Sequence, residues 1–197
     1  PGLDERESVD VNALVGAPVD LHALWVAPGG GRILAGTWNN ALVELVREET
    51  RWIARRHPVR SRATYRMAGL PAIGAVAVVG LFPFEAQLFD LTNGTLSPLP
   101  SAGLDTFWGV AGPGGDELWV VGLGGALRYS FSRTAGGPVR YRLWSRRQSF
   151  ADMQTTTLLP DGSLWAGTAD GAILHLPTAA FGGAPLLSGE IESHNKD

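Results

Sequence analysis

Arginine forks and aromatic rings are the groups best equipped for chemistry in this chain. Arg55, Arg56, His57, Arg60 and Arg62 follow Trp52, and Arg146 and Arg147 follow Trp144. A guanidinium donates paired hydrogen bonds and a ring offers a flat apolar face, so the combination suits carboxylates, phosphates and sugars. A solvated set of arginine-rich loops is the plainer reading. Trp38, Asn39 and Asn40 form a second group, and Phe82, Phe84 and Glu85 a third. Tyr65, Arg66, Trp108, Gln154 and Asp170 complete the candidates for ligand binding. His22 is the one residue named as a possible base, against a hydrogen-bonded structural role.

Sets of residues that would catalyse are missing. The sequence has no Gly-x-Ser-x-Gly, no His-Glu-x-x-His and no phosphate loop, since its single lysine is Lys196. Zero cysteine excludes disulfides, thiolate catalysis and Cys-ligated zinc. The four histidines are scattered without ligand spacing, and Asp161 and Asp170 stand in Asp-Gly turns that account for them. Neither a metal nor a cofactor is expected.

A formal net charge of −3 argues against a general nucleic-acid coat and leaves room for a local basic patch. Every basic residue except Lys196 is arginine, as in the proteins of GC-rich bacterial genomes. No apolar run approaches the ~18–20 residues of a membrane span, and no basic head followed by an apolar stretch suggests a signal peptide. The compartment stays open, with an extracytoplasmic location favoured over a cytoplasmic one. Because the chain opens at Pro1, an upstream part is expected to have been processed away or left out.

The elements that position these residues follow from a repeat. "GTWNNALVEL" (36–45) and "GTADGAILHL" (167–176) match at Gly, Thr, Ala, an aliphatic residue and the final Leu, and "GLGGALRYSF" (122–131) is a third copy. Each follows a Gly-rich turn and an apolar strand: "APGGGRILA", "GPGGDELWVV" and "LPDGSLWA". With a degenerate second copy at "LPAIGAVAVVG", the turn prolines Pro28, Pro71, Pro113 and Pro160 are spaced by 43, 42 and 47 residues. "QLFDLTNGTLSPL" supplies that copy's hairpin, with Asn93-Gly94 as a type I′ turn signal.

Each period holds four strands: an inner one ("LHALWVA", "TYRMAGL", "TFWGVAG", "MQTTTLL"), two around the repeated Gly, and an outer one carrying Trp52 or Trp144. Those two tryptophans are expected between neighbouring sheets, and Trp25, Trp119 and Trp165 in the core. Sheets this short bury both faces only by stacking around an axis. The expected fold is an all-β β-propeller of about four blades of four antiparallel strands, either a closed ring or a segment of a larger propeller. "LWAGTADGAILHL" resembles the blade repeat of two-component regulator propellers, and "PDGSLW" is similar to the repeat of streptogramin-lyase-type propellers. The WD dipeptide of WD40 blades and the Asp-box order of sialidases are both absent.

The blades are expected at 21–62, 63–105, 106–152 and 153–192, followed by a polar tail at 193–197 that contains His194. Residues 1–20, through "VDVNALV" (9–15), are expected to give the outer strand of a preceding or closing blade, and "APLLSGEIE" (184–192) the outer strand of the fourth copy. The resemblance implies a ligand face built from the starts of inner strands, the loops after Gly36, Gly80, Gly122 and Gly167, and the inter-blade connections. Six residues before the turn prolines stand His22, Tyr65, Phe107 and Gln154, and one step on Ala23, Arg66, Trp108 and Thr155. Side chains alternate along a strand, so only one row is expected to face the channel.

The leading functional expectation is a non-enzymatic sensory or scaffold module that binds a small anionic or saccharide ligand or a protein partner. The alternative is a propeller lyase or hydrolase with His22 near the axis.

Overall fold

The computed structural model describes residues 8–104, 109–111 and 115–191. Strands β1 (Leu21–Val26), β2 (Arg32–Thr37), β3 (Ala41–Glu48) and β4 (Arg51–Pro58) form an antiparallel meander, blade 1. Blade 2 repeats it with β5 (Ala63–Leu70), β6 (Ala75–Leu81), β7 (Glu85–Asp90) and β8 (Leu96–Pro98). The third sheet shares strands with the fourth: β9 (Gly109–Ala111), β10 (Glu117–Arg133), β11 (Val139–Leu158), β12 (Leu164–Thr168), β13 (Ile173–Leu176) and β14 (Leu187–Ile191).

Although β10 is long, it doubles back at Gly124 and Gly125, whose φ values are 89° and 150°. Phe131 N donates to Asp116 O at 2.7 Å, the counterpart of Arg47 N to Gly31 O at 2.9 Å in blade 1 and of Leu91 N to Gly74 O at 3.0 Å in blade 2. The first half of β10 pairs with β9 and its second half with the first half of β11, which completes blade 3. The second half of β11 pairs with β12, and β12 with β13, giving blade 4.

The second strand of blade 2, "AVAVVG", is apolar throughout because it serves two interfaces. Val76 and Val78 face blade 1, with Leu34, Leu42 and Phe89, while Ala77 and Val79 face blade 3, with Leu118, Val120 and Tyr129. Between blades 3 and 4 lie Trp119, Val121, Met153, Leu164, Ala166 and Phe181. The first strands are neighbours in sequence, β1 against β5, β5 against β9 and β9 against β11, as stacking around an axis requires.

Six expectations change. Residues 11–15 form a helix, α1 (Val11–Val15), rather than an outer strand. Asp10 caps it by accepting from Ala13 N at 3.1 Å, and Gly16 closes it with φ 72°. Helical spacing lets Val11 and Val15, with Val9 and Val19, cover Ala35, Val43 and Leu45 on the free face of blade 1. Trp52 packs in this helix-covered cluster, whereas Trp144 packs between blades 3 and 4 as expected.

In place of a fourth strand for blade 4, β14 pairs with residues 139–143 of β11 on the outer edge of blade 3. Trp165 is 37% exposed, since alternation along β12 turns it away from the blade 3 core that takes Leu164 and Ala166. Arg55, Arg56 and His57 lie within β4, and Arg146 and Arg147 within β11, because pairing continues past the tryptophans instead of breaking into a connection. The Asn93-Gly94 hairpin forms with a longer turn: Asp90 N donates to Thr95 O at 2.9 Å, and of the two residues only Gly94 has positive φ. Phe107, Trp108, Pro113 and His194 lie outside the described residues. Among those described, no helix is long and apolar enough to cross a membrane.

Candidate functional site

Three inner strands carry the same irregularity. The register shifts between Leu21 and Ala23, between Thr64 and Arg66, and between Met153 and Thr155, which leaves His22, Tyr65 and Gln154 as bulge residues without a partner on the second strand. A bulge bends the strand and re-aims the extra side chain, so strict alternation does not apply there. Tyr65 and Arg66 therefore serve one site although they are consecutive.

His22 is exposed, and its ring centroid lies 5.2 Å from Trp38 and 5.6 Å from Tyr65. The Arg66 guanidinium sits 5.1 Å above the Tyr65 ring. Trp38 and Tyr65 are half-buried and Arg66 is exposed. The four residues thus form an aromatic and cationic surface that joins blades 1 and 2.

The β2–β3 turn supports it. Thr37 Oγ1 donates to Ala41 O at 2.9 Å and accepts from Asn39 N at 3.0 Å, while Trp38 N donates to Asp20 O at 3.1 Å. Asn39 Nδ2 donates to Pro18 O at 3.3 Å, and Arg56 Nη2 donates to Asn39 O at 3.2 Å. Asn40 takes φ 52° and ties the turn to the next connection, its N–H donating to Arg62 O and its carbonyl accepting from Val59 N, both at 3.1 Å. Gly36, within β2, must be glycine because a Cβ there would lie 2.5 Å from the side chain of Thr64 in the next blade.

The remaining candidates sit elsewhere. Arg55 faces Glu48 at 4.0 Å, an exposed pair. Arg146 is exposed opposite Ala126 in blade 3. In blade 4, Gln154 Nε2 donates to Asp152 Oδ2 at 3.4 Å. Thr168 Oγ1 donates to the Asp170 carboxylate, which holds that carboxyl below its ordinary range, and accepts from Ala172 N at 2.9 Å across the turn. Phe82 and Phe84 are in ring contact at 5.2 Å, and Glu85 accepts from Ser61 at 3.2 Å and from Gln87 at 2.5 Å.

Sequence reasoning missed the buried charges between blades. Glu44, 3% exposed, accepts from Arg32 Nε at 3.2 Å and contacts His57 Nε2 at 3.0 Å. The His57 hydrogen bond, followed by the Arg32 charge, holds the Glu44 carboxyl below its ordinary value against the opposing effect of burial. Arg32 also donates to Leu91 O at 2.6 Å, and His57 meets Phe89 edge-on at 4.9 Å, so the triad fastens blade 1 to blade 2. Between blades 2 and 3, burial alone would raise the Asp90 carboxyl, but hydrogen bonds from Arg133 and Thr92 bring it below its ordinary value. The available signal was Glu44 itself, the one acid inside "ALVELV".

Clefts of about 650, 390 and 270 Å³ open along the outer parts of blades 2 and 3, and none is lined by a member of the His22 cluster. Among the described residues, no group of three His, Asp or Glu is arranged to hold a metal.

No protein-family model and no curated protein matches the chain. Solved structures do. A WD40 propeller chain of the mitotic checkpoint complex superposes with TM-score 0.56 at 14% identity, covering 80% of this chain and 50% of that one. Streptogramin B lyase superposes with TM-score 0.51 at 16% identity, covering 80% and 54%. The described sheets form part of a β-propeller. The chain spans about half the length of these two propellers, and at such identities the likeness is one of fold alone.

Proposed function

We propose that this chain is a non-enzymatic binding module that holds a segment of a partner protein on the surface made by His22, Trp38, Tyr65 and Arg66. The ring contacts that join these residues across two blades carry the reading. Trp, Tyr and Arg are the residue types that dominate binding energy at protein interfaces. An exposed patch, rather than an enclosed pocket, favours a macromolecular partner over a small ligand. Arg66, with Arg56 and Arg62 at the neighbouring turn, favours acidic side chains on that partner.

Selection of peptides from a displayed random library against the full chain tests this. Enriched peptides should carry acidic and aromatic residues and lose at least about tenfold in affinity, ~1.4 kcal/mol, for the Tyr65→Ala, Arg66→Ala double variant. Peptides that bind parent and double variant equally would overturn it. The placement of His22 between two aromatic rings favours, as a second reading, a lyase acting on a streptogramin B-type substrate. That reading requires mass-detected cleavage of such a substrate by the parent and its loss in His22→Ala.

A further inference from the structure

Among the described residues, blade 4 has three strands where blades 1, 2 and 3 have four. Blades 1 and 3 end in strands of matching chemistry, Trp52 before Arg55-Arg56 in β4 and Trp144 before Arg146-Arg147 in β11. Among the described residues no strand pairs with the outer edge of β13, since β14 runs along β11 instead. Thr168 N donates to Ala172 O at 3.0 Å, so Ala172 turns its backbone groups toward β12. By alternation, Ile173 and His175 turn theirs outward, toward the unpaired edge.

The surroundings of that edge are apolar and one-signed in charge. Ile173 is 73% exposed, Trp165 37%, and Trp165 stacks on His175 at 4.5 Å. Residues 148–191 contain no arginine or lysine. Asp170 precedes β13, and Asp161 lies near its other end, where Leu164 pairs with Leu176.

We propose that β13 accepts an extended, arginine-rich segment of a partner protein as the fourth strand of blade 4. The outward N–H and C=O groups of Ile173 and His175 supply the pairing, and Trp165 with Ile173 gives an aromatic residue of the segment a surface to cover. Asp161 and Asp170 attract its arginines. The charge of blade 4 selects the occupant, and so does precedent within the chain, which sets such a strand at this position in two other blades. This edge is separate from the His22 surface and does not depend on its role.

A labelled peptide VRYRLWSRR, the sequence of residues 139–147, serves as the probe in anisotropy titrations of the full chain, with hydrogen exchange followed in parallel. Binding should saturate, slow exchange at the amides of Ile173 and His175, and weaken at least tenfold in Ile173→Pro. That substitution removes an outward donor and leaves the β12 pairing in place. Tyr65→Ala with Arg66→Ala should leave binding unchanged, and a peptide with every Arg changed to Glu should not bind.

Several results would overturn the proposal: no saturable binding, binding without protection of those two amides, equal binding of the acidic peptide, or sensitivity to the Tyr65 and Arg66 changes. A parent dimer that Ile173→Pro converts to monomer would overturn it as well, because a second copy then fills the edge. The exchange measurement uses the parent chain, so it decides the matter even where the proline variant does not fold.

Discussion

Replacing Glu44 by Gln keeps the size of the side chain and removes the charge that holds Arg32 and His57. With Glu44 3% exposed, the carboxylate is the buried member of the triad, while Arg32 at 29% and His57 at 18% retain some solvent. Breaking a buried ion pair costs about 3–5 kcal/mol, and the partial solvation of both partners places this case near the low end, about 3 kcal/mol. At about 2–4 °C per kcal/mol for a chain of this size, the melting midpoint should fall by roughly 6–12 °C. Urea unfolding at several pH values separates charge from packing. The folded Glu44 carboxyl titrates below its ordinary 4.5, so its contribution is complete above that pH. It is lost as the pH falls through the folded value, where the group becomes protonated in both states. The deficit of the Gln variant should therefore be largest at neutral pH and shrink in acid below 4.5. A deficit under about 0.5 kcal/mol at neutral pH, within the range of ordinary surface substitutions, refutes the reasoning, as does one that persists undiminished in acid.

Gly80→Ala should lose about 1–3 kcal/mol in urea unfolding, because its Cβ would stand 2.1 Å from Ser61 Oγ and 3.2 Å from Ala63 O. Gly31→Ala, with nothing within 4 Å, is the control and should be close to neutral. Trp119→Ala removes a side chain that is 1% exposed and packs edge-on against Phe181 at 4.6 Å, so about 3–5 kcal/mol should be lost, read from the same unfolding curves. Val15→Asp should uncover Ala35, Val43 and Leu45, which increased binding of a hydrophobic dye and faster amide exchange in β3 would report. Unchanged dye binding would mean that α1 does not cover that face.

The repeat was legible because its chemistry is local. Thr37 and Thr168 close equivalent turns with their own hydroxyls, and Gly36 is excluded from bearing a side chain by Thr64. Such constraints leave the same letters at each copy. Helix α1 was not legible, since "VDVNALV" alternates like a strand and its helical state depends on the Asp10 cap, the Gly16 cap and the apolar face it covers. The destination of β14 was hidden for a related reason: strand propensity says that a segment pairs, and only tertiary context says with which edge. For the site, the aromatic and arginine residues were visible by type. Their union was not, because the bulges that free His22 and Tyr65 from alternation depend on pairing with the second strand.

Those bulges also explain how one architecture can present different chemistry at each blade. A residue that pairs within the sheet is constrained by the interface it faces, as Val76 and Ala77 are, so its identity reports packing. A bulge residue has no second-strand partner to satisfy, so its identity can vary while the strand around it stays the same. Blade 1 places His22 there, blade 2 Tyr65 and blade 4 Gln154, at equivalent points of their inner strands. Charge follows the same division, with arginines gathered around the turns of blades 1 and 2 and no arginine or lysine from 148 to 191. On the two proposals made above, an acidic segment would be drawn to the first pair of blades and a basic one to the last.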